Sequence, residues 1–187
     1  MPSPVGHAIA GVAVGWLIAP QPARARRDQI LRVAAFGLAA TIADVDLLVG
    51  IHRGPTHSLA AAVLAGIATW AWCVARWPRD PVKEAGRGVE RSAGALRFAL
   101  AIAAAYATHS LLDWLGTDSS PPIGIMPLWP VSRGFYESPF HVFMAISRRY
   151  WLPDFWMYNA RAIARELTIL GPVLLVAFWL RRPKADS

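Results

Sequence analysis

The chain has 187 residues, of which 55% are hydrophobic and only 17% charged, with a formal net charge of +7 and a mean hydropathy of +0.35. A soluble domain is usually about one-quarter charged, so the composition leaves an integral membrane protein or an unusually apolar soluble one and excludes disorder, collagen and coiled coil. One cysteine, Cys73, rules out an intramolecular disulfide and a cysteine-rich zinc finger, and the length fits a single domain over residues 1–187.

Five apolar runs follow in chain order, at residues 5–20, 30–50, 58–77, 96–115 and 163–180. A spanning helix needs about 17–20 apolar residues, which the last four runs reach or approach. The first run has no basic side chain before it, so it reads as a span and not as a secretory signal. The expected fold class is therefore all-α, an integral membrane bundle of about five transmembrane helices with an aromatic-rich interfacial loop. That loop, residues 116–159, is dense in Pro, Trp, Tyr and Phe, and residues 140–151 could form a short interfacial helix. It reads equally as an anchor belt at the headgroups or as a lid over a lipid-entry surface.

Basic residues set the orientation. Arg24, Arg26, Arg27, Arg32, Arg76, Arg79, Lys83, Arg87, Arg91, Arg97, Arg181, Arg182 and Lys184, 13 of the 19, fall on one side of such a bundle. The positive-inside rule makes that side cytoplasmic, the C-terminus included. The excess positive charge is then a topology signal and an attraction to anionic lipid, and no nucleic-acid partner is expected.

Ionisable side chains inside spans are costly and call for a reason. All five histidines, together with Asp44, Asp46, Asp113 and Glu166, fall on the extracytoplasmic side. His109 and Asp113 are four apart on one helical face, close enough to bind one cation together. Asp44 and Asp46 are two apart, so on a continuous helix only one enters the site, and the second joins only if the helix unwinds. The segment His52-Arg53-Gly54-Pro55-Thr56-His57 is a tight loop with Thr56 as the expected cap of the third helix. Imidazoles and carboxylates without thiolate form a ligand set for zinc, manganese or iron, in numbers sufficient for one to three ions.

Gly6-His7, Ala43-Asp44-Val45-Asp46, His52 to Ser58, His109-Ser110-Leu111-Leu112-Asp113 and Leu128-Trp129-Pro130 resemble the motifs of the YdjM-like family. These are LexA-regulated, membrane-bound, metal-dependent hydrolases of the bacterial inner membrane. The resemblance implies a zinc site with His7, Asp46, His57, His109 and Asp113 as ligands, and Asp44 and His52 as ligands or their supports. Glu166 resembles a carboxylate that some members carry on the last helix. The expected activity is hydrolysis of a phosphoester of a lipid or other membrane-associated substrate, phospholipase C-like or phosphatase-like. Asp44 or Glu166 would act as general base, and arginines, Arg53 and Arg133 foremost with Arg148 and Arg149, would hold phosphate. The alternatives are a cation or proton transporter and a non-catalytic protein stapled by metal. The polar residues crowd at one end, whereas transporter sites usually lie at the midplane.

Overall fold

The computed structural model describes residues 1–19, 26–49, 52–76, 88–119 and 121–181. Of the basic residues assigned to the cytoplasmic side, Arg24, Arg79, Lys83, Arg87, Arg182 and Lys184 lie outside them. Among the described residues five α-helices follow in order: α1 (Pro4–Ile18), α2 (Arg26–Thr41), α3 (Leu59–Ala75), α4 (Gly88–Trp114) and α5 (Phe155–Leu180). α4 packs against α1, α2 and α3, while α1 packs against α2, α4 and α5, so these two form the inner pair.

Small residues make that packing close. A Cβ on Gly11 would stand 2.3 Å from the Ala40 Cβ, and one on Gly15 would stand 2.4 Å from the Phe36 ring. The fully buried apolar positions are mostly alanines, among them Ala13, Ala40, Ala43, Ala101, Ala105 and Ala162. Large apolar side chains point outward instead: Leu64, Ile67 and Trp72 on α3, and Leu175, Val176 and Trp179 on α5 are exposed. This inverted distribution is what lipid favours, because helices in a bilayer gain nothing by hiding leucine from hydrocarbon and associate through close backbone approach.

Two helices are long and apolar enough to cross a membrane, α4 over Glu90–Trp114 and α5, and in the most apolar stretch of α5 only 17% is buried within the protein. The other three fall short of five clear spans. α1 and α3 have 15 and 17 residues, about 22 and 26 Å at 1.5 Å per residue, against a hydrocarbon core of about 30 Å. α1 owes its apolarity to burial as an inner helix, and α2 opens on Arg26, Arg27 and Asp28. Both α4 and α5 begin eight residues before the apolar runs that mark them, so Glu166 lies about three turns inside α5.

Thr41 ends α2 by turning its hydroxyl back onto the Gly37 carbonyl (3.2 Å), a bond that bends helices. The chain then tightens into a 3-10 segment, Ile42–Val49. A second 3-10 turn, Pro55–His57, precedes α3. The cap of α3 is Ser58 and not Thr56: the Ser58 hydroxyl accepts from Ala61 N at 3.1 Å.

The described residues between α4 and α5 are irregular, with turns at 127–131 and no helix at residues 140–151. Its backbone is spent elsewhere, Thr117 N donating to Phe143 O (2.9 Å), Ser138 N to Trp114 O (2.8 Å) and Ile146 N to Met1 O (3.0 Å). At Gly124 φ is +88°, and a Cβ would stand 2.5 Å from Tyr136 O, so only glycine fits. The segment caps the end of the bundle at which the polar residues gather.

Candidate metal centre

The start of α1, the 3-10 end of α2, the start of α3 and the last turns of α4 meet at one end of the bundle, bringing in His7, Asp44, His57 and the pair His109 and Asp113. His57 Nε2 lies 3.0 Å from His109 Nε2. Asp113 Oδ2 is 3.3 Å from each of these nitrogens, and Asp44 Oδ1 is 3.6 Å from each. His7, His57, His109 and Asp113 are buried, whereas the Asp44 side chain is 25% exposed and forms the open edge.

The outer faces of the rings are already committed. His109 Nδ1 is 2.7 Å from the Ala40 carbonyl, so it donates there and turns the Nε2 lone pair inward. His57 Nδ1 faces Asp46 Oδ2 at 3.3 Å. Asp44 Oδ1 and both Asp113 oxygens are buried without a hydrogen-bond donor among the described residues. Four electron-rich atoms held this close need positive charge between them, either a cation or a proton on each ring. The four donors lie within reach of a single metal ion.

His7 stands behind this group. Its ring stacks on His109 with centroids 4.0 Å apart, and its Nε2 is 3.3 Å from Asp113 Oδ1, the oxygen turned away from His57. Neither ring nitrogen has a well-formed hydrogen bond among the described residues, so His7 meets Asp113 by proximity and packing.

Asp46 approaches His57 from the opposite ring nitrogen to Asp44. Both carboxylates reach His57 because the helix tightens at Ile42. Asp46 Oδ2 accepts from Thr56 Oγ1 (2.8 Å) and from Arg53 N (3.0 Å), and Oδ1 lies 3.4 Å from His52 Nδ1. Asp44, Asp46, His52 and His57 form a second set of donors that could hold an ion. Burial holds the His52 imidazole below its ordinary pKa, the neutral form a metal requires.

Arg53, expected to hold phosphate, is engaged within the protein. Its guanidinium pairs with Asp118 and donates to Pro122 O (2.8 Å), and its backbone has φ of +67°. The Asp46 and Met126 backbone bonds hold that strained conformation, so Arg53 braces the loop. Arg133 is exposed and outside the cleft beside the cluster. Glu166 is buried but drawn to Ser3: Oε1 accepts from Ser3 N (2.6 Å) and Oε2 from the Ser3 hydroxyl. A carboxylate at the N-terminus of α1 suits the helix dipole, and with both oxygens so engaged Glu166 is not placed to act as a base at the histidines.

A family model for the YdjM inner membrane protein matches residues 1–184. The chain belongs to the YdjM inner membrane protein family. No curated protein and no solved structure matches it. In this YdjM member the sequence left several supports unread: Asp118 on Arg53, Thr56 on Asp46, Ser3 on Glu166, and the Ala40 carbonyl on His109. Asp118 carried a signal, since it follows α4 by four residues and so returns to the end where Arg53 sits. The Ala40 carbonyl carried none, because a backbone acceptor has no residue identity.

Proposed function

We propose that the protein is a membrane-bound, metal-dependent hydrolase that cleaves a phosphoester of a lipid or other membrane-associated substrate. The observation that carries this reading is the convergence of Asp44, His57, His109 and Asp113. A tetrahedral shell with bonds of about 2.0–2.1 Å sets its donors about 3.3–3.4 Å apart. The five separations measured among these atoms run from 3.0 to 3.6 Å. Two imidazoles and two carboxylates without thiolate suit zinc, and the set around Asp46 and His52 has the composition for a further ion. A bound divalent cation would supply Lewis acidity and acidify water toward a pKa of about 7.

The chain's own residues have distinct tasks in this reading. The Ala40 carbonyl and Asp46 orient His109 and His57 through the ring nitrogens that face outward. His7 secures Asp113 from the far side. Asp44, the exposed member of the four, is the donor that would yield its place to water, which leaves three protein ligands and one open position, and its freed carboxylate could take a proton there. The inner membrane, with the site on the extracytoplasmic face and the C-terminus in the cytoplasm, fits the charge distribution of the sequence. Turnover of phospholipids and isoprenoid phosphates by detergent-purified, zinc-loaded protein tests the reading. Hydrolysis that disappears in His57→Ala is expected, and zinc binding without turnover of any of them would leave a metal-stapled structural protein.

A further inference from the structure

Beside the cluster lies a cleft of about 440 Å³ whose lining includes His52, Arg148, Arg149, Leu152, Phe155 and Tyr158. His52 lines it and lies 3.4 Å from Asp46 Oδ1, so the cleft reaches the second set of donors, the one that shares His57 and Asp44 with the first. Its outer wall is the extended stretch around Ser147, and that stretch is built in place. Asn159 of α5 clamps Ser147 from both sides, accepting from Ser147 N at 2.8 Å and donating to Ser147 O at 3.0 Å. Ile146 N is tied to Met1 O (3.0 Å), and Arg149 N donates to the Ser147 hydroxyl (3.3 Å).

This clamp sets Arg148 and Arg149 next to each other on the cleft. Both are exposed, and neither guanidinium makes a hydrogen bond or ion pair among the described residues. Arg53 and Asp118 also line the cleft and pair with each other, which leaves two arginines against one carboxylate, Asp154. The Tyr158 hydroxyl adds a donor without a partner among the described residues. Leu152 and Phe155 give the same cleft an apolar rim, and beyond it Trp151 and Trp156 stand exposed. Positive charge over an apolar edge fits an amphiphile with a phosphate head, and paired guanidiniums match phosphate oxygens.

We propose that this cleft receives the phosphate group of the substrate, with Arg148 and Arg149 as its binding residues and Leu152 and Phe155 flanking its apolar part. The proposal rests on the hydrolase reading for the fate of the bound molecule, and binding itself does not require turnover. The test compares wild type, the double variant Arg148→Gln/Arg149→Gln, and Arg133→Gln as a cation outside the cleft. The proteins are purified in a phosphate-free maltoside detergent and loaded with zinc. The probes are dioleoyl phosphatidic acid, glycerol 3-phosphate and dioleoylglycerol.

Losing two charge-assisted contacts should weaken phosphatidic acid binding by about tenfold or more in the double variant. Metal content should not change there, which shows that the fold persists, and Arg133→Gln should bind as wild type. Phosphatidic acid bound far more tightly than glycerol 3-phosphate identifies a lipid phosphate, and equal binding of the two identifies a soluble one. Wild-type binding by the double variant, or equal binding of dioleoylglycerol, overturns the proposal. Binding that depends on the arginines without any hydrolysis removes the hydrolase reading alone. Hydrolysis with an unchanged KM in the double variant removes the cleft alone.

Discussion

His109 and Asp113 sit where their spacing places them, one turn apart with 3.3 Å between Nε2 and Oδ2. That pair was legible because i and i+4 fix a shared face before any tertiary contact forms. His57 and Asp44 were legible as candidates but not as partners, since the 3-10 tightening after Thr41 decides which carboxylate meets which nitrogen. His109→Ala and Asp113→Ala are each expected to lose most of the bound metal, read by elemental analysis. Asp46→Asn should retain metal more weakly, because it removes the negative charge behind His57 and not one of the four donors in front of it; outer partners of this kind typically cost about 10–100-fold in affinity. Glu166 separates the two roles open to it. Glu166→Ala should lower the thermal midpoint, at a cost of about 2–3 kcal/mol for charge-assisted bonds lost to Ser3, while metal content stays near wild type. Loss of metal with unchanged stability would instead put Glu166 at the cluster.

Glycine and alanine set the depth of α1 in the bundle. Gly11 leaves no room for a side chain against Ala40 and the Phe36 carbonyl, and Ala40 is also the residue whose carbonyl fixes His109. Packing of α1 on α2 and the tautomer of a candidate ligand are thus one arrangement. Gly11→Val should destabilise the protein by about 1–3 kcal/mol through overpacking, measured by thermal unfolding in detergent, and should also weaken metal binding. Unchanged metal affinity in a destabilised Gly11→Val would break that link. The helices themselves were legible from apolar runs, but their lengths were not. α4 and α5 begin ahead of their apolar stretches, α4 through Glu90 and Arg91 and α5 through Asn159 and Arg161, and α1 and α3 are apolar without reaching the thickness of a bilayer. Apolarity alone does not separate a helix that faces lipid from one enclosed by its neighbours.

Among the described residues the interior is built mainly of small side chains, with its polar groups gathered at one end, and the large apolar side chains lie mostly outside. The candidate centre draws on α1, the end of α2, the start of α3 and α4, so a shared cation would tie together elements that pack mainly through alanine and glycine. Binding to the folded state alone stabilises by mass action. Chelation should therefore lower the unfolding midpoint, and zinc should restore it; a midpoint indifferent to chelator would mean that the bundle stands without the ion. The convergence was anticipated by the placement of every histidine on one side of the predicted topology. The irregular cap over residues 116–154 was not, because its shape depends on backbone bonds to Met1, Arg53 and Trp114 that leave no periodic trace in the sequence.

Asp44, His57, His109 and Asp113 are expected to enclose a cation, and not two protonated rings. Metal content of the purified protein, measured for wild type and for His57→Ala side by side, tests it most directly. Stoichiometric divalent metal in wild type and its near-complete loss in the variant is the predicted result. Metal-free wild type that also fails to take up added zinc, or equal metal in both proteins, would contradict it.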